Sequence, residues 1–182
     1  MKTLFLKYKS VVKFIVTFLV VYAVLSFAYK FYLQFSDGSK FYPDYITNLV
    51  SKQTQTILND LGYATIMQPH PQEPSMKLIF KGKYLARIVE GCNSVSVIIL
   101  FMSFITAFSG SFKNTFLYTL FGSVLIYIAN LLRIVVLSIG LYKYPEHEHV
   151  LHTVIFPAII YGMLFLLWVF WVNRFSKFES KK

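Results

Sequence analysis

The chain has 182 residues, 56% of them hydrophobic and 14% charged, with a formal net charge of +10 and one cysteine. Apolar content at this level, arranged in long uncharged runs, excludes an ordinary soluble domain and points to an integral membrane protein, in which surplus Lys and Arg report orientation and contact with anionic lipid rather than nucleic acid. A single cysteine excludes an internal disulfide and any metal site built from several cysteines.

The sequence shows no internal repeat and no low-complexity segment, so residues 1–182 are expected to form a single membrane domain. Lys2, Lys7, Lys9 and Lys13 precede the apolar run Phe14 to Leu33. No small-x-small cleavage site closes that run, which is read as an uncleaved first span (14–33) with the N-terminus in the cytoplasm.

An excursion over residues 36–89 follows. Pro43 and then Tyr45, Ile46, Leu49, Val50, Ile57 and Leu61 trace an apolar stripe at helical spacing that Gly62 ends. This helix is expected to lie on the membrane or pack over the bundle. Gln68 to Pro74, with three prolines, reads as a rigid extended linker. Met76 to Phe80 and Tyr84 to Val89, around Lys81-Gly82-Lys83, read as a hairpin whose second strand delivers the chain to Glu90-Gly91-Cys92-Asn93-Ser94.

The apolar run Val95 to Phe108 is short for a span, because a hydrocarbon core of about 30 Å needs about 20 helical residues. The second span is therefore expected over 92–108, with Cys92, Asn93 and Ser94 in its first turn at the membrane surface. Helix N-termini favour a thiolate there; an inert small residue is the plainer alternative. The third span, 115–139, carries Asn130 and Arg133 three residues apart on one helix face. A charge inside a span faces protein or a watery cavity, or snorkels to the headgroups. Tyr144 to His149 form a polar loop, and the fourth span, 150–172, has His152 in its first turns. Pro157 is expected to leave Thr153 without its helical partner and to make the start of that helix irregular.

The expected fold is thus an all-α integral membrane protein, a four-span helical bundle with an extracytoplasmic segment of one amphipathic helix and a short β-hairpin between spans one and two. Basic residues are dense at both termini, including Arg174, Lys177, Lys181 and Lys182, which places both ends in the cytoplasm. Cys92, Arg133 and His152, from three spans, then all fall at the outer ends of their helices.

Glu-Gly-Cys-Asn-Ser opening a span, Asn130-Leu131-Leu132-Arg133 late in the next, and His152 at the head of the last resemble the exosortase and archaeosortase family, in its short bacterial members. The resemblance covers roughly Arg87 to Tyr161 and leaves the excursion 36–89 unmatched. It implies a cysteine transpeptidase or protease of the bacterial inner membrane, acting at the outer face on exported proteins whose C-terminal sorting signal combines a short motif, a membrane helix and a basic cluster. Cys92 would be the nucleophile, Arg133 the stabiliser of oxyanion and thiolate, and His152 the general acid and base. Glu90 and Asn130 would support them. No cofactor and no nucleic-acid partner is expected.

Two other classes remain. Glu146, His147, Glu148, His149 and His152 resemble a metal-ligand run, with Glu146 and His149 in E-x-x-H spacing, although Leu151 breaks H-E-x-x-H. A non-enzymatic scaffold or transporter subunit would tolerate loss of Cys92. Ser109-Gly110-Ser111, which a serine protease would need, falls on the inner face away from His152.

Overall fold

The computed structural model describes residues 8–36, 40–108 and 110–175. Lys2, Lys7, Ser109, Lys177, Lys181 and Lys182, used above to read topology or alternatives, lie outside the described residues.

Helix α1, Lys9–Phe35, has 27 residues and is about 40 Å long. None of its residues is buried, and Val24 and Phe27 are exposed at 61% and 63%. A helix apolar on every side, with none of its residues buried by protein, belongs in lipid. Among the described residues three segments are long and apolar enough to cross a membrane: α1, Phe112–Lys143 and Thr153–Arg174.

The start of the second expected helix is corrected. The α-helix, α3, covers only Val95–Ala107, 13 residues, or about 20 Å. Glu90–Cys92 form a 3-10 turn instead, and Ser94 sits in the left-handed region with φ +66, so Cys92, Asn93 and Ser94 are outside the α-helix. The cause is local. The Asn93 side chain takes the Val95 N–H at 3.0 Å, and this bond, together with the left-handed Ser94, stops the helix from continuing upstream.

The excursion is more ordered than an amphipathic helix with a hairpin. Helix α2, Tyr45–Asp60, starts at Asp44, whose carboxylate accepts from Ile46 N and Thr47 N. Tyr32 of α1 also donates to that carboxylate, at 3.1 Å. The expected apolar stripe is only partly the buried face, since Tyr45 and Leu61 are exposed at 50% and 57%. Val50 is buried as expected, and Thr47, Ser51, Thr54 and Leu58 join it. Their short side chains let the helix sit close against its neighbours.

The expected linker is also corrected, because its first part is a strand. β1 (Thr65–Pro69), β2 (Ser75–Phe80) and β3 (Lys83–Val89) form an antiparallel sheet in the order β1-β2-β3. Positive φ at Lys81 and Gly82 makes the two-residue turn that matches strand twist. Met76, Leu78 and Phe80 on one face of β2 are buried. They close two apolar clusters with Val50 and Leu58 of α2 and with Ile134 and Val135 of α4, the helix Phe112–Lys143. The excursion is therefore seated on the C-terminal half of α4.

At the other end, Phe101 and Ile105 of α3, Ile126 of α4, and Leu164 and Trp171 of α5 (Phe156–Phe175) form a buried core. Phe14 and Phe18 of α1 stack on Phe108 and Phe104 with ring centroids 4.4 and 4.6 Å apart. Gly122 admits the Phe101 ring, since a Cβ there would meet Phe101 Cζ at 2.3 Å. Phe101 is fully buried and cannot swing away. Gly122→Ala should cost about 1–3 kcal/mol by overpacking, read as a lower thermal unfolding midpoint in detergent. An unchanged midpoint would mean that this helix contact yields.

The chain reaches α5 through a 3-10 turn, Pro145–His147, one helical turn, Glu148–Val150, and a π-helical turn, Leu151–Ile155. The irregular start expected from Pro157 is present, because proline supplies no N–H to the Thr153 carbonyl.

Candidate active site

Strand β3 and the following 3-10 turn set Cys92 beside α4. Asn130 Nδ2 donates to the Cys92 carbonyl oxygen at 2.7 Å, and Arg133 Nη1 approaches Asn130 Oδ1 at 3.5 Å. One helix turn of α4 thus fixes the backbone of the cysteine with Asn130 and carries a cation next to it. Asn130 is buried, while Cys92 is half-buried and packs against Val50, Met76, Ile88 and Ile134.

Cys92 and Arg133 line the same cavity, of about 400 Å³, together with Leu78, residues 84–88, Ile134, Leu137, Ser138 and Leu141. Arg133 Nε is buried and lacks a hydrogen-bond partner, and among the described residues no carboxylate pairs with this guanidinium. A buried donor left unmatched costs about 1–3 kcal/mol, more when charged. A donor left so at the wall of a cavity is open to any acceptor, water or ligand, that enters it. Arg87, on the opposite wall, is ion-paired with Glu73 at the surface, so Arg133 is the cation available to an oxygen inside the cavity.

A second polar cluster holds the turn from the other side. Asn93, 1% exposed, donates to the Tyr29 hydroxyl of α1 at 2.8 Å and to Thr47 Oγ1 of α2 at 3.2 Å. Tyr29 also faces the Glu90 carboxylate. Glu90 Oε atoms thus address α1, and its backbone carbonyl accepts from Asn93 N at 3.1 Å. Asn93, Tyr29, Thr47 and Arg87 were not singled out from the sequence. Asn93 lay inside the quoted motif. Tyr29 was one of many aromatics in an apolar run, and only the three-dimensional arrangement distinguishes it.

Of the sequence-predicted residues, the structure brings Cys92, Arg133 and Asn130 together and turns Glu90 toward α1. His152 is placed by its backbone in the π-helical turn, and its side chain lies outside the described part of the structure. That turn abuts α4 at Gly140, where a Cβ would meet Leu151 Cδ1 at 3.3 Å. Gly140 is about 10 Å along the helix from Arg133. His147 and His149 of the alternative metal reading are exposed. His147 faces Glu146 at 3.4 Å, and among the described residues no group of three His, Cys, Asp or Glu side chains is placed to hold a metal ion.

Comparison with known proteins gives no match, whether to family models, to curated proteins or to solved structures.

Proposed function

We propose that this protein is a membrane-embedded cysteine transpeptidase or protease that removes C-terminal sorting signals from exported proteins. The observation that carries the reading is the shared cavity, lined by both Cys92 and Arg133, whose buried Nε has no partner among the described residues. The Cys92 thiolate adds to a peptide carbonyl carbon, forming a C–S bond and moving the carbonyl electron pair onto oxygen, where Arg133 meets it. Collapse breaks the C–N bond, and His152 supplies the proton with which the amine leaves. The resulting thioester is opened by an incoming amine or water, whose proton passes to His152. Asn130 holds the Cys92 backbone still through these steps.

The same proposal makes α3 a fourth membrane segment. Its start meets Tyr29 through Asn93 and its end meets Phe14 through Phe108, so it runs antiparallel to α1 over about 22 Å. Both termini then lie in the cytoplasm and the excursion faces outward from a bacterial inner membrane, in keeping with the basic termini. A reporter fused after Lys182 should read cytoplasmic and one inserted at His70 external. An internal reading at His70 would put the cavity on the wrong side for exported substrates.

The activity is tested by deleting the gene and comparing the C-termini of exported proteins by mass spectrometry. At least one protein should retain a hydrophobic segment and basic tail in the deletion strain and lose them when the wild-type chain is restored. Restoration by Cys92→Ala would leave the scaffold as the better reading.

A further inference from the structure

The two edges of the sheet are not equivalent. On β1, Thr65 N donates to Asn59 Oδ1 and Met67 N to Gln55 Oε1, both at 2.8 Å, and the next outward position, Pro69, has no N–H. Side chains of α2 have closed this edge. Antiparallel strands direct the N–H and C=O of alternate residues to opposite sides, which sets the phase of the whole sheet. Given the pairs Lys77↔Arg87, Met76↔Ile88 and Leu78↔Ala86, Ala86 and Ile88 bond to β2. Arg87 and Val89 then turn their backbone groups outward. No turn, loop or cap bond among the described residues reaches Arg87, and Val89 keeps its N–H outward while its carbonyl accepts the first bond of the 3-10 turn.

The cavity lies along that open edge. Successive strand side chains point to opposite faces, so a space lined by residues 84–88 in unbroken order must follow the edge of β3. The register shifts between Leu78 and Ile79, opposite Ala86 and Tyr84, which makes Leu85 the extra residue of a bulge. The regular ladder is therefore Ala86 to Val89, and it runs straight into Glu90, Gly91 and Cys92. Ile134, Leu137 and Leu141 of α4 form the facing wall.

We infer that the substrate binds as an extended peptide that joins the sheet as a fourth strand beside β3, bonded to the backbone of Arg87 and Val89, with its scissile carbonyl carried to Cys92. This rests on the proposed nucleophilic role of Cys92. Main-chain bonds supply the binding and the apolar wall of α4 selects alternate side chains. An extended polypeptide is the chemistry that matches a row of alternating donors and acceptors.

The test uses the full chain in lipid nanodiscs and acetyl-tetraalanine chloromethyl ketone as probe. Its methylene carbon forms a C–S bond with the Cys92 thiolate while the C–Cl bond breaks and chloride leaves. Alkylation at Cys92 should be about tenfold faster than with acetyl-alanine chloromethyl ketone, in line with two or more added hydrogen bonds. Replacing single amide N–H groups of the probe by ester oxygen should slow it about fivefold at the one position that faces the Arg87 carbonyl and leave it unchanged at its neighbours. Equal rates for all esters would overturn the inference, as would failure of the tetraalanine probe to label Cys92 in protein that iodoacetamide labels. Failure of the catalytic reading is separate: it shows as substrate processing by Cys92→Ala in cells, whatever the ester probes show.

Discussion

Arg133→Lys should accumulate to normal levels yet process substrate on the order of 10² more slowly, as expected for removal of one oxyanion donor. Lysine keeps the positive charge, so insertion and contact with lipid headgroups survive. It loses the planar fork, including the Nε donor that is buried and unmatched beside the cavity. Cys92→Ala should abolish processing, and His152→Ala should leave at most a slow acylation step. The measurement is the ratio of precursor to mature substrate in cells, with enzyme abundance checked by blot. Full processing by Arg133→Lys would reduce the residue to a membrane-surface anchor.

Asn93→Ala should be the most destabilising single change near the cavity. Its side chain serves Val95 N, Tyr29 and Thr47 at once and is 1% exposed, so truncation removes three bonds and opens a void where α1, α2 and the turn meet. The expected loss is roughly 3 kcal/mol, or about 10 °C in Tm for a chain of this size. Fluorescence of Trp168 and Trp171 during heating in nanodiscs would read it. Asn59→Ala, which frees the Thr65 N–H and leaves the Thr65 hydroxyl only the Gln55 carbonyl, should cost only about 1 kcal/mol. An unchanged Tm for Asn93→Ala would show that α1 is held without the Asn93–Tyr29 bond, by apolar packing and the Tyr32–Asp44 contact.

The membrane-spanning helices were legible because long uncharged runs have few other uses. α1 and α4 were found within a few residues of their ends, and Pro157 announced the irregular turn before α5. The start of the second helix was misread for a reason that hydropathy does not contain: one amide side chain and one left-handed serine begin it at Val95. β1 was hidden because Thr65–Pro69 has little alternation and ends in proline, and an edge position tolerates both. The buried face of α2 was misplaced because hydroxyl residues that pack closely score as polar. At the candidate site, Cys92, Asn130 and Arg133 could be named from spacing and resemblance. Asn93, Tyr29 and Thr47 could not, since residues 64 and 46 apart in sequence meet only through the fold.

A sheet with one closed edge has a further consequence for self-association. Stacking without limit needs two available edges, one to receive a neighbour and one to be received. Here α2 has removed the β1 edge, and copies of the protein can join through this sheet only β3 to β3. Such a contact is isologous and closes at two. Crowding in the membrane would then produce pairs that occlude their own clefts, never filaments, and a peptide bound at either cleft would dissolve the pair.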